Sequence, residues 1–302
     1  MRLTGLKTER QNRISTDLDR LNSLEIATLM NREDAKVLRA IRSVLPAIAQ
    51  AMDLVHDSLA RGGRLIYVGS GTSGRIGALD ASECPPTFDT DPEMIQYMIS
   101  GGERALANAT EASEDSSELG IRDMESRKPG KKDVVVGLAA SGRTPYTIAA
   151  LKYAKKKGAA TIAIACNPGS ELAKASQIAI EVEVGPEVLT GSTRLKAGTA
   201  EKLICNMLTT GAMARLGYVY GNLMVNLHLK NEKLIERGIS IVQRVAKVDR
   251  SVAVGALEAA DMKVSHALVM LCAKVSKTEA IRRLKRARGN IRKAIQGASV
   301  RP

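Results

Sequence analysis

Apolar positions in this chain follow two spacings, and the spacing changes along its length. The first 22 or so residues show neither and read as a polar arm. From Ser23, "SLEIATLMNREDAKVLRAIRSVLPAIAQAMDLVHDSLARGG" repeats apolar residues every three or four positions, which predicts helices, one of them ending at Gly62–Gly63. Strand-length apolar runs follow: "RLIYVGS", "MIQYMIS", "KDVVVGLAAS", "ATIAIACN" and "QIAIEVEV". Helix-period stretches sit among and after them, namely "SGRIGALDAS", "SSELGIRDMES", "TPYTIAALKYAKKKG" and the long "STRLKAGTAEKLICNMLTTGAMARLG". This alternation predicts an α/β fold, a mostly parallel five-stranded sheet flanked by helices on both faces. Beyond about residue 220 only amphipathic helical stretches are expected. The division read from these patterns is an arm with helices at 1–56, the α/β domain at 57–220, a connecting helical segment at 221–248 and a small helical bundle at 249–302.

Composition changes this picture in two places. The net charge is +13, which raises the question of nucleic acid. The cations crowd the end of the chain, with no acid after Glu279, and Ile281, Leu284, Ala287 or Arg288, Ile291 and Ile295 mark one apolar stripe among them. We read this as the solvated face of a folded helix and expect no specific nucleic-acid partner. Aromatic residues are only 2%, so stacking platforms for bases are scarce. Cys84, Cys166, Cys205 and Cys272 are far apart, form no C-x-x-C pair and have no His at zinc spacing, so reduced thiols and no metal are expected. The polar start and the lack of a membrane-length apolar run suggest a soluble cytoplasmic protein.

The chemistry-bearing stretches are turns. "VGSGTSGR" places Gly69, Gly71 and Gly74 at the G-x-G-x-x-G spacing of dinucleotide sites. That chemistry needs an acid closing the second strand to hold a ribose. The second strand ends instead in Ser100-Gly101-Gly102, while Asp89, Asp91 and Glu93 precede it. The hydroxyls point to another ligand. Gly71, Thr72 and Ser73 open a helix, where free amides and the helix dipole attract anions. Ser141, Gly142, Arg143 and Thr144 repeat the arrangement ahead of Pro145, and Thr190, Gly191, Ser192 and Thr193 open the long helix near Lys196. One such cluster would be read as a helix cap; three at the carboxyl ends of parallel strands indicate a phosphate-bearing ligand. Arg143 and Lys196 are candidates to face it.

"LIYVGSGTSGRIGALDASECPPTF", "DVVVGLAASGRTPY", "CNPGS", "VGPEVLTGSTRLKAGTA" and "GNLMVN" resemble the N-acetylmuramic acid 6-phosphate etherases. The resemblance runs from about residue 5 to about residue 300. It implies a sugar isomerase (SIS) domain followed by a three-helix, UBA-like bundle, a homodimer, and no cofactor. The implied reaction takes N-acetylmuramate 6-phosphate and water to N-acetylglucosamine 6-phosphate and D-lactate. Glu83 in "DASECPP" matches the family's general acid, and Glu114 in "TEASEDS" its second active-site acid. The chain departs from the family pattern at Ser70, where Ala is usual, and at Asn226, where Asp is usual.

The chemistry asks for two carboxyl groups. In the open-chain sugar the carbon 2 proton is acidified by the aldehyde; a base removes it and an acid protonates the departing ether oxygen at carbon 3. Water then adds back through the same groups. The sequence places Glu83 near the end of a helix stopped by Pro85-Pro86, where burial and the negative end of the dipole would favour its protonated form. Glu114 stands among Glu111, Asp115 and Glu118. His56, His228 and His266 lie outside every motif. The competing reading is a non-catalytic sugar-phosphate sensor resembling the glucokinase regulatory protein, against which both retained glutamates count.

Overall fold

The computed structural model describes residues 6–108, 113–229 and 231–297. The polar arm is tied down: the Asn167 side-chain oxygen accepts from the Lys7 amide at 2.8 Å, and the Asn12 amide group donates to Glu33 at 3.0 Å. The helices expected before Gly62 are a single helix, α1 (Ser23–Ala60), opened by an Asn22/Glu25 capping box. Pro46 removes one rung, but the buried stripe Val37, Ile41, Ile48 and Val55 continues across it and holds the helix together.

The five expected strands are β1 (Leu65–Gly69), β2 (Ile95–Ile99), β3 (Val134–Leu138), β4 (Ala160–Ala165) and β5 (Ile178–Glu181). Every pairing is parallel, and the order is β2-β1-β3-β4-β5. The associated helices are α2 (Gly71–Phe88), α3 (Arg104–Ala107), α4 (Ser117–Ser126), α5 (Pro145–Lys156), α6 (Glu171–Ala175) and α7 (Lys196–Leu216). β1 and β3 are buried at every position, as strands covered on both faces must be. From β1 the chain goes outward to β2; from β3 it goes the other way, to β4 and β5. The carboxyl ends of β1 and β3 therefore flank the point where the order reverses, and a crevice opens there in such sheets.

Helix α2 corrects an expectation. It runs through Pro85-Pro86 instead of stopping there. The proline φ is itself helical, and the Asp89 amide still reaches the Pro85 carbonyl at 2.9 Å before the chain leaves the helix at Asp89, φ 55°. Glu83 is consequently an exposed helical residue and not a buried terminal one.

The chain divides into two compact units. One comprises the residues up to Ser82 with Glu93–Thr209, and the other Glu83–Pro92 with the residues from Thr210 on. In the second, a short antiparallel hairpin, β6 (Val219–Tyr220) and β7 (Leu223–Met224), stands where no strand was expected. Helices α8 (Glu232–Ala246), α9 (Arg250–Ala259), α10 (Val264–Ala273), α11 (Lys277–Arg286) and α12 (Ile291–Gln296) pack around Val242, Leu257, Leu268, Leu284 and Ile291. The stretch from Lys277 to Gln296 was expected as one helix. It breaks where Arg288 and Gly289 take φ values of 51° and 84°. The bundle after residue 249 thus holds four helices among the described residues, not three. The break keeps Leu284, Ala287 and Ile291 buried but leaves Ile281 41% exposed. The cations of this stretch are partly paired: Arg282 and Arg283 with Glu279, and Arg292 over the Tyr220 ring at 4.7 Å. Among the described residues no helix is long and apolar enough to cross a membrane.

Candidate active site

Gly69 at the end of β1 is the register partner of Leu138 at the end of β3. The turns leaving these strands therefore start about 4.8 Å apart. A Cβ on Gly74 would meet Ile99 at 2.6 Å and the Gly69 carbonyl at 2.8 Å. Gly69 and Gly74 thus let the first turn of α2 lie against β1 and β2. Their spacing reflects packing, whatever the ligand.

The first turn of α2 presents amides with no partner inside the helix. Its first hydrogen bond runs from the Gly74 amide to the Ser70 carbonyl at 3.1 Å. The amides of Gly71, Thr72 and Ser73 precede it and have no acceptor within the helix. The Ser70 hydroxyl is buried without a hydrogen-bond partner. Ser73, also buried, donates its hydroxyl to Glu201 on α7 at 2.8 Å. Burial pushes the Glu201 carboxyl up to about 8, and the Ser73 hydroxyl only partly offsets this.

The turn between β3 and α5 gathers the second set. The Ser141 hydroxyl accepts from the Arg143 amide at 3.2 Å. Gly142 holds φ 68°, and a Cβ there would lie 2.3 Å from Ser170. Thr144 donates its hydroxyl to Glu114 at 2.9 Å, and the Tyr146 amide donates to the Glu114 carbonyl at 3.1 Å. Glu114 is therefore fixed to this turn twice, by side chain and by backbone. Of the acids expected around it, Glu111 lies outside the described residues. Beside the turn is a cavity of about 180 Å³ lined by Lys7, Ser141, Arg143, Asn167, Ser170 and Glu171, among others.

The third cluster differs from the first two. The amides of Lys196 and Ala197, which open α7, already donate to the buried Glu187 at 3.1 and 2.9 Å. That helix end is filled by the protein's own carboxylate. Lys196, expected to face a ligand, is buried and ion-paired with Glu33 of α1 at 2.8 Å. Burial would push the Glu33 carboxyl up, but hydrogen bonds from Lys196, Lys36 and Asn12 bring it down to about 2. Ser192 is half-buried, its amide bonded to the Leu189 carbonyl at 3.0 Å. The structure thus joins Gly71, Thr72 and Ser73 to Ser141, Gly142, Arg143, Thr144 and Glu114 at neighbouring strand ends, and withdraws Lys196.

Glu83 belongs to the second unit, as do Asn226, half-buried just after β7, and His228, whose ring meets Asp89 at 2.5 Å. Glu201 and Glu33 were not anticipated. The signal for Glu201 was present: it falls on the stripe Ala197, Ala200, Ile204 and Leu208, all buried, where an acid is out of place.

The chain matches the glucokinase regulatory protein N-terminal SIS domain model over residues 47–155 and the SIS domain model over 117–210. It is 52% identical over 295 residues to the N-acetylmuramic acid 6-phosphate etherase of Mycolicibacterium smegmatis, covering 98% of this chain and 99% of that one. The same enzyme of Clostridium beijerinckii is 48% identical over 98% of this chain and 97% of its own. The chain belongs to the N-acetylmuramic acid 6-phosphate etherase family. The etherase motifs fall on β1 with α2, on the turn from β3 into α5, and on the approach to α7. Among solved structures, a phosphoheptose isomerase from Francisella tularensis is similar, at 18% identity and TM-score 0.48, over 63% of this chain and all of that one.

Proposed function

We propose that this chain cleaves the lactyl ether of N-acetylmuramate 6-phosphate, giving N-acetylglucosamine 6-phosphate and D-lactate. The near-full-length identity to etherases carries the reaction. The hydrogen bond from Thr144 to Glu114, on the turn that leaves β3, supports its layout. In this reading the 6-phosphate sits on the α2 amides with Ser73, and Ser141 and Thr144 line the opposite turn. Glu114 takes the carbon 2 proton. The bond from carbon 3 to the ether oxygen then breaks, Glu83 supplies a proton to that oxygen, and D-lactate leaves. Water adds to carbon 3 and the carbon 2 proton returns, so only water is consumed. The role of Glu83 rests on its motif. The same reading makes the protein cytoplasmic, where phosphorylated sugars are handled, and a homodimer. Leu24, Leu38 and Leu45, exposed at multiples of seven along α1, support a second copy, which light scattering would detect as a doubled mass.

The decisive experiment is lactate release from N-acetylmuramate 6-phosphate. Glu83→Ala is expected to stop release while still exchanging the carbon 2 proton of N-acetylglucosamine 6-phosphate in heavy water; Glu114→Ala stops both. Lactate release near the wild-type rate in either variant would refute that residue's role.

A further inference from the structure

Glu201 is a buried carboxyl group with an unusual neighbourhood. It is 1% exposed, and Ser73 is its hydrogen-bond partner. The titratable groups it acts on are thiols, Cys166 just past β4 and Cys205 on α7 itself; the acids Glu187 and Asp80 act on the same thiols, one on each. Burial and the nearby acids push both thiols well up, so they stay neutral at alkaline pH. Among the described residues no ion pair to Glu201 is found, whereas Lys196 and Lys36 both pair with Glu33. This group touches the Ser73 hydroxyl in the first turn of α2, whose amides lack acceptors within the helix.

A serine hydroxyl has one proton to give. If Ser73 gives it to a phosphate oxygen, its own oxygen is left to accept from whatever stands behind it. A neutral carboxylic acid can donate there. A carboxylate cannot: it competes for the same proton and sets a buried negative charge beside the anion.

We propose that Glu201 is a positioning residue that sets the direction of the Ser73 hydrogen bond, donating to Ser73 as a neutral acid so that the hydroxyl grips a sugar phosphate, and withdrawing that grip when it ionises. The proposal rests on the reading above that α2 and Ser73 hold the phosphate. It makes affinity proton-dependent in a window where the phosphate is already fully ionised, its second ionisation lying near about 6. Because the carboxyl sits at about 8, one proton is required for tight binding above that pH. The dissociation constant then rises about tenfold per pH unit.

The test is calorimetric titration of the full chain with N-acetylglucosamine 6-phosphate between pH 7 and 9.5. Wild-type affinity is expected to fall through the upper half of that range. Glu201→Gln, whose amide always donates to Ser73, is expected to bind equally at pH 7.5 and 9.5. Ser73→Ala is expected to weaken binding at pH 7.5 by roughly ten- to a hundredfold. A flat wild-type profile, or an alkaline loss that survives in Glu201→Gln, overturns the role of Glu201. Unchanged affinity in Ser73→Ala overturns the phosphate placement beneath it. If a variant fails to fold, a flat wild-type profile still overturns the role of Glu201.

Discussion

Helix α7 carries two corners that are alike in burial and opposite in electrostatics. At its first residue, Lys196 meets Glu33; one and a half turns on, Glu201 meets Ser73. Both acids are 1% exposed. Glu33 is held down at about 2 and Glu201 is pushed up to about 8. Burial acts the same way on both, so the partners decide: two ammonium groups and the Asn12 amide in one case, a single hydroxyl in the other. One corner is a fastening of the N-terminal arm and α1 to α7. The other keeps an acid without an ion-pair partner among the described residues, next to the first turn of α2.

The comparison breaks most visibly at Lys196. Lys196→Met leaves Glu33 buried beside Asn12 and Lys36, and is expected to cost about 3 kcal/mol in urea unfolding at pH 7. Glu33 contributes stability above its unfolded value of 4.5 and loses it as pH falls toward about 2, so the gap between variant and wild type should narrow from pH 5 to pH 3. A gap independent of pH would mean that Lys196 stabilises by packing alone.

Glu201 has the opposite sign. Its folded form keeps a proton that the unfolded chain releases above 4.5, so its contribution is complete below pH 4.5 and erodes until about pH 8. Glu201→Gln removes the erosion and is expected to stabilise the protein at pH 8 by on the order of 1–3 kcal/mol, and not at pH 4.5. A melting temperature lowered at pH 8 would contradict this account of the corner. The smallest effect belongs to a pair at the surface. Arg250 and Glu236 face each other in the second unit with 57% of each side chain exposed. Arg250→Ala should leave the melting temperature within about 2 °C, because water and salt screen such a pair.

The sheet was legible because buried parallel strands are written as unbroken apolar runs, and "KDVVVGLAAS" has no other good reading. The turns after β1 and β3 were legible as turns because glycine and hydroxyl residues between an apolar run and a helical stretch mark a strand-to-helix turn. Three other features were not. A single amphipathic pattern cannot say that α2 outlasts two prolines, since that depends on the chain reaching Asp89 in a left-handed turn. The hairpin of β6 and β7 is too short to show alternation. Lys196 looked like a ligand residue because its partner, Glu33, is far away in sequence; only the packing of α1 on the sheet brings them together. Side chains whose roles are set by distant partners are the ones that local pattern assigns badly.

The order of the strands also has a consequence for how the molecule comes into being. β1 pairs with β2 on one side, but on the other Leu65 waits for Val134. At about 5–20 residues per second, several seconds separate the synthesis of those two strands. During that interval the Ser70–Ser73 turn has no floor, and Ile66 and Val68 have only half their neighbours. Such long-range parallel pairing is slow to form and leaves apolar edges open to other nascent chains. The arrangement that creates the crevice therefore also makes β1 the segment most in need of protection while the chain is being made.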